Sequence, residues 1–369
     1  MSSLCVGRSA APHRPASPTD RPRSVCCGVM NSRSGARPTM KDVAATAGVG
    51  LKTVSRVVND EPGVSPAMAA RVQAAIDELG FRRNDSARLL RTGSTASVGL
   101  VLEDIGDPFS SALSRGVEAV ARDHGCLLFT GSSAEDADRE RELALALCAR
   151  RVDGLVVVPA GGDHGYLLPE LESGLAAVFV DRPATGIEAD AVLSDNAGGA
   201  RAGVAHLIAH GHRRIGFVGD LPHIHTCAER LRGYSAAMRA AGLPVDEQWI
   251  ATGPTAPATV GAAVRRLLSG AAPVTALFTA NNRVTLAALQ ALAGLPRRPA
   301  LVGFDDLELA ALLTPGLTVV AQDPEALGRS AADLLFDRLD GDDGTPPRRV
   351  ELPTRLIVRG SGEVPPATA

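Results

Sequence analysis

No run of about 18 apolar residues occurs in the 369-residue sequence, so a membrane-spanning helix is excluded. The first 38 residues, rich in Pro, Arg and Ser, hold no apolar core of the length a secretory signal needs. They are expected to be a disordered extension, or an over-long start ahead of Met30 or Met40. Cysteine is sparse and unpatterned: Cys5, Cys26, Cys27, Cys126, Cys148 and Cys227 show neither CxxC pairs nor a framework spacing. That speaks against a disulfide scaffold and against a structural zinc site, and it fits a reducing cytoplasm. Also absent are GxGxxG, Walker, GxSxG and HExxH signatures, and "GFVGD" has too few glycines to cradle a pyrophosphate. An enzyme is therefore not expected, and no catalytic residue is named. Aromatics amount to only 3% of the chain, but the hydrophobic share of 45% is enough for one or two sizeable cores in a soluble globular protein.

Charge is unevenly placed. Six Arg against one Asp give residues 1–38 a net +5, and eight Lys/Arg against six Asp/Glu give residues 39–94 a net +2. Because the total is −3, residues 95–369 carry about −10. A basic N-terminal part on an acidic body suggests that this part meets a polyanion.

Within it, "TMKDVAATAGVGLKTVSRVVNDEPGVSPAMAARVQAAIDELGF" packs three short helical patterns into residues 39–81. Thr39 with Asp42 three residues on predicts a capped start, and Gly48 a tight turn into a crossing second helix. In that second pattern Leu51, Val54, Val57 and Val58 share one face; Lys52 and Arg56 occupy the opposite face, with Thr53 and Ser55 at its borders. A row of donors suits a major groove, where Arg and Lys reach guanine acceptors and hydroxyls reach phosphate or base edges. Ser65-Pro66 opens a third helix carrying Val72, Ile76 and Leu79, and Gly80 ends it. "RRNDSARLLRTGS" then predicts a marginal helix capped by Asn84 or Ser86 that exposes Arg88, Leu89, Leu90 and Arg91. Such a segment orders only against a partner, and its leucines form an apolar wedge suited to parting a base step.

From Ser97 the apolar runs "VGLVL", "CLLFTG", "GLVVVP", "AAVFVD", "AVLSD", "IGFVG", "WIATG", "TALFTA", "ALVGF" and "LTVVAQ" alternate with helical patterns such as residues 111–123 and 200–210. Buried strands joined by crossover helices predict parallel, doubly wound sheets, two of them for a stretch of this length. Ligands then bind where strand C-termini face a cleft.

"DVAATAGVGLKTVSRVVND", "GVSPAMAARVQAAIDELGF" and "NDSARLLRTG" resemble, in order and spacing, the head and hinge of the LacI (lactose-repressor-type) family of transcription regulators, and the resemblance runs from about Thr39 to Gly360. It implies an N-terminal all-α helix-turn-helix head over residues 39–83 and a hinge helix and linker over 84–96. It also implies an α/β body over 97–360, with two doubly wound parallel-sheet subdomains like a type I periplasmic binding protein, and a tail over 361–369. The three crossovers between subdomains are expected near Ser194, Phe304 and Gln322. Leu51 and Lys52 would read bases at the start of the recognition helix, although periodicity alone puts Leu51 nearer the core. Arg56 would follow on the same helix, and Leu90 would be the hinge leucine inserted in the minor groove. In the head and hinge two positions depart from the family pattern: Gly50 replaces the usual capping Ser, and Arg83 replaces the usual Pro before Asn84.

The resemblance also carries cleft residues. "DIGDPFSSAL" is similar to the family's Asn-Pro-Phe-Phe loop, which implies that Phe109 stacks on the ligand. "VFVDRP" places Asp181 at a strand end as a hydroxyl acceptor. In "HIHTCAERLRGY", Arg230 matches the ligand-gripping arginine, with Thr226 one turn earlier; its planar fork can hold vicinal hydroxyls or ring acceptors. "TANNRVTLAAL" resembles the Ala-Asn-Asp motif, with Asn282 in place of Asp, and an amide donates as well as accepts. "TGPTAP" has no ring at Thr255 or Ala256, where many members place an aromatic. A metal reading of His223, His225 and Cys227 needs an extended backbone there and lacks a fourth ligand. His210 and His212 are expected to be structural. The expected protein is a cytoplasmic, non-membrane, sequence-specific DNA-binding regulator, most simply a repressor. It would bind a palindromic operator as a homodimer, since "GEVPPATA" has no heptads for a tetramer, and answer to a small polar sugar or nucleoside-like effector, with no metal or other cofactor.

Overall fold

The computed structural model of the chain describes residues 38–59, 61–82, 94–270, 272–341 and 345–366, which fall into two units divided between Asn84 and Asp85. The first unit holds helices α1 (Met40–Ala47), α2 (Leu51–Val58) and α3 (Pro66–Leu79). Thr39 and Asp42 form a reciprocal capping box on α1, and Gly48 ends it in the left-handed region at φ 62°. Gly50 caps α2 with its backbone alone. Ser65 stands at the N-cap of α3 but makes no side-chain cap bond, so Pro66 at the first helical position fixes the start. Val43, Ala47, Val54, Val72 and Ala75 form the buried core, with Val49, Val57, Val58, Ile76 and Leu79 packed around it.

Leu51 is 47% exposed, which corrects the periodicity reading. It opens a helix of eight residues, and Val49, in the preceding turn, already packs on the core beside it. Because Gly50 sits at φ −69° with open space around a would-be Cβ, Gly50→Ser should add a cap without strain. The expected gain is about a few tenths of a kcal/mol in thermal unfolding of the head.

The second unit contains twelve strands among the described residues, in two six-stranded sheets. One has the order β11-β5-β4-β3-β1-β2, built from β1 (Ser97–Leu102), β2 (Leu127–Ser132), β3 (Gly154–Val157), β4 (Ala176–Val180), β5 (Asp190–Ser194) and β11 (Arg349–Leu352). The other has the order β12-β10-β9-β8-β6-β7, built from β6 (Ile215–Gly219), β7 (Ile250–Thr252), β8 (Ala276–Thr279), β9 (Ala300–Phe304), β10 (Thr318–Ala321) and β12 (Arg355–Ile357). Pairing is parallel throughout except for β12, which runs antiparallel to β10.

Helices α4 (Pro108–Asp123), α5 (Ala137–Ala149) and α10 (Pro324–Leu339) pack on the first sheet. Helices α6 (Asn196–Ala209), α7 (His225–Ala240), α8 (Pro257–Ser269) and α9 (Asn282–Leu292) pack on the second. Two glycines let α4 and α10 touch backbone to backbone: an added Cβ at Gly116 would collide with the Glu325 carbonyl, and one at Gly328 with that of Leu113. The chain crosses between sheets after Ser194, after Gln322, and between β11 and β12 at residues 353–354. The crossover expected near Phe304 is therefore wrong, because β9 and β10 are hydrogen-bonded neighbours in one sheet.

The packed body also continues past Gly360, where the tail was expected to begin. Ser361 donates to the Leu301 carbonyl and accepts from Thr318 N, while Glu363 pairs with His206. His212, fully buried, contacts Thr275 Oγ1 and the Val364 carbonyl, a structural role, and His210 caps the end of α6.

Candidate functional site: a polar cleft and an exposed helix face

The C-terminal ends of β1, β4, β6, β8, β9 and β10 converge on one small cavity between the two sheets. All five expected cleft residues line it: Phe109, Asp181, Thr226, Arg230 and Asn282. Phe109 is half-buried at the start of α4, where Asp107 caps the helix by accepting from Phe109 N at 2.8 Å. Thr226 lies in the first turn of α7, one turn before Arg230.

Arg230 is 4% exposed and held from three sides. Its Nε donates to Asn196 Oδ1 at 2.7 Å and its Nη1 to the Ala280 carbonyl at 2.6 Å, and its guanidinium lies 3.8 Å above the Phe304 ring. Gly233, one turn on, has no Cβ to strike the Ala197 carbonyl, so α7 comes close to the residue that follows Asn196. The arginine is thus locked before any ligand arrives, which keeps the entropic cost of gripping one small.

Asp181 and Asp305 stand just beyond β4 and β9 with φ values of 68° and 73°. This left-handed conformation is uncommon outside glycine, and both residues border the cavity, so the strain sits where function is expected. Burial pushes the Asp181 carboxyl above its ordinary range against the pull of Arg182 and Arg230. Asp305 accepts from Asn282 N at 3.1 Å and from Gln322 Nε2 at 2.6 Å.

Several lining residues were not expected: Glu103, Asp107, Arg182 and Gln322, together with Asp220, Asn281, Arg283 and Asp305. Their signal was positional, since Glu103, Asp220 and Asp305 each directly follow an apolar strand. Arg182 makes a bidentate contact with Glu135 at 2.7 and 2.9 Å and also reaches the Pro159 carbonyl at 2.8 Å and Glu103 at 3.4 Å. Arg283 bonds Glu103 at 2.9 Å from the other subdomain.

Burial and then the Glu135 charge push the Glu103 carboxyl up to about 8, outweighing the two arginines. A carboxyl raised above its ordinary 4.5 contributes stability that is full below that value and lost as pH rises through about 8. Glu103→Gln should therefore remove part of the decline in thermal midpoint between pH 5 and 8.5, and should match or exceed the parent at the upper end. A steeper decline in the variant would contradict the assignment.

The metal reading fails on backbone geometry. His225 and Cys227 lie in the first turn of α7, not in an extended segment, and His223 is exposed outside the cavity. The Cys227 thiol donates to the Asp220 carbonyl, and burial pushes it up to about 11. No group of three or more His, Cys, Asp or Glu among the described residues is arranged to hold a metal ion. Thr255 borders a neighbouring groove, not the cavity.

In the first unit, Leu51 and Lys52 are exposed, while Thr53, Ser55 and Arg56 are half-buried. Ser55 Oγ accepts from Asn59 Nδ2 at 3.2 Å, and Arg56 lies beside Gly63. Arg83, Asn84, Arg88 and Leu90 lie outside the described residues.

Comparison with known proteins agrees with both parts. Residues 39–84 match the pattern described as bacterial regulatory proteins, lacI family, and residues 204–362 match the periplasmic binding protein-like domain. The HTH-type transcriptional regulator CelR of Thermobifida fusca is 37% identical over 340 residues, 88% of this chain and 98% of its own. The HTH-type transcriptional repressor CytR of Escherichia coli K12 is 32% identical over 328 residues, 88% and 96% of the two chains. A solved CelR–cellobiose complex is 35% identical with a TM-score of 0.65, covering 88% of this chain and all of that one. The lac repressor dimer bound to operator and the anti-inducer ONPF shares the fold, with a TM-score of 0.78 over 89% of this chain and 99% of that one at 23% identity. A helix-turn-helix head, a periplasmic-binding-protein-like body and relatives such as CelR and CytR that are transcription regulators lead to one conclusion: the chain belongs to the LacI family, as a DNA-binding transcription regulator and not an enzyme.

Proposed function

We propose that the protein is a repressor that binds a palindromic operator as a homodimer and is controlled by a small, neutral, polyhydroxylated effector in the cleft, a sugar or nucleoside-like molecule. The observation that carries this reading is the cavity lining. Phe109 offers an apolar face, and Asp181, Thr226, Arg230 and Asn282 offer directed donors and acceptors. Of its three arginines, Arg182 is already paired with the Glu135 carboxylate, and Asp107, Asp181, Asp220 and Asp305 line the cavity as well. An anionic ligand would meet these acidic groups, whereas ligand hydroxyls can donate to them. The cellobiose held by the solved CelR is of this class.

Leu51, Lys52, Thr53, Ser55 and Arg56 are the proposed base and phosphate contacts of the head, with Asn84, Arg88 and Leu90 acting in the hinge. One head covers one half-site, so a palindrome requires two chains related by a two-fold axis. The body offers unpartnered apolar surface for such pairing: Leu127 and Phe129 on edge strand β2, and Leu309, Leu312 and Leu313, are exposed. A repressor acting on operator DNA would work in the cytoplasm. No helix among the described residues is long and apolar enough to cross a membrane. A thermal-shift screen of neutral sugars and nucleosides tests the effector. A true ligand at 100 times its Kd should stabilise the body by about 2.7 kcal/mol, whereas binding confined to sugar acids and phosphates would contradict the neutral class.

A further inference from the structure

Asn282 and Asp107 meet across the cleft, 175 positions apart in sequence. The Asn282 amide nitrogen donates to both carboxylate oxygens of Asp107, at 3.1 and 3.0 Å. Its oxygen is already used by Arg283 N at 2.7 Å, so its side chain can offer the facing subdomain only a donor. Asp107 is engaged on its own side as well, because Oδ1 caps α4. Asn282 is 7% exposed, so little water competes for the contact.

The two residues are also reciprocal departures from the pattern this chain resembles. Asp107 opens the Pro108–Phe109 loop in place of Asn, and Asn282 closes "TANN" in place of Asp. One carboxylate and one amide are kept, but they have changed sides. Restoring Asp at position 282 alone would set two carboxylates about 3 Å apart in a secluded site, where like charges cannot both ionise cheaply. Asp305, which accepts from Asn282 N, would add to the repulsion.

We propose that Asp107 and Asn282 are a matched carboxylate–amide pair that closes the cleft, so that the pair, and not either residue alone, determines what the cleft accepts. The clause about acceptance rests on the effector reading above; the closing contact does not. Asn282→Asp by itself would then hold the cleft open and would not restore a sugar acceptor.

The test is a double-mutant cycle in the full chain without ligand, read by urea unfolding and by the distance between labels placed on the two subdomains. Asn282→Asp is expected to lower the folding equilibrium constant by roughly tenfold and to lengthen the distance. Asp107→Asn should have a smaller effect, because Asn caps a helix as well as Asp and its oxygen still accepts. The exchanged variant, Asp107→Asn with Asn282→Asp, should regain most of the loss and the shorter distance. Losses that simply add, or an unchanged distance in Asn282→Asp, overturn the pair. If the cycle couples but wild type takes up none of the neutral sugars or nucleosides of the screen, the closing contact stands and the effector reading falls.

Discussion

Arg230→Ala is expected to lower effector affinity by about 1.5–3 kcal/mol, roughly 10- to 150-fold, while operator affinity in the absence of effector stays within about threefold of the parent. The first figure follows from losing a charge-assisted donor fixed before binding; the second follows from the cleft residues being none of the proposed DNA contacts. Asn196 Oδ1 and the Ala280 carbonyl would lose their donor, so the variant should also melt earlier. Asp181→Asn is the companion, since it removes a buried charge without emptying the site. Calorimetric titration with the ligand found by screening, beside operator binding, separates the effects. Full ligand affinity in Arg230→Ala would return the residue to a purely structural role.

The second large effect is expected at the head. Arg56→Ala should weaken specific operator binding by about 1–3 kcal/mol, roughly 5- to 150-fold, and leave the body's unfolding unchanged. Arg56, on α2, is partly buried, so it begins partly ordered and loses less freedom on reaching a base. Lys52→Ala, at an exposed site, should act more evenly across sequences and flatten the salt dependence by about one unit if it meets phosphate. Anisotropy against DNA selected from a random pool and against scrambled DNA distinguishes the two, and equal binding of the selected DNA by Arg56→Ala at matched salt would remove α2 from the recognition role.

Legibility differed by element for physical reasons. Ten strands were readable because each is an apolar run ending at a turn signal, most of them buried, as in "ALVGF" and "IGFVG". β11 and β12 were missed because they are three or four residues long, carry Arg, and sit at sheet edges where burial imposes no apolar pattern. The false crossover at Phe304 has a related cause: β9 and β10 are joined by an irregular segment whose single short turn of helix at Ala310–Leu312 gives no sign of which sheet the next strand joins. Leu51 misled periodicity because one turn at a helix start has no fixed face until a neighbour claims it, and Val49 does so.

In the cleft, residues matching a motif were legible, but the contacts that give them meaning were not. Asn282 reads alone as a weakened acceptor, yet beside Asp107 it is a donor with a partner. Nothing local in "DIGDPF" or "TANNR" links the two, because their meeting depends on the path of the chain between two sheets.

The most direct measurement is the operator dissociation constant of wild type and Arg230→Ala, each with and without a neutral sugar or nucleoside from the screen at a concentration just enough to occupy most of the wild type. A regulator with this cleft as its effector site should show a change of roughly 5- to 150-fold in wild type, and little in the variant at the same ligand concentration. An equal change in both proteins would place the effector elsewhere and contradict the account.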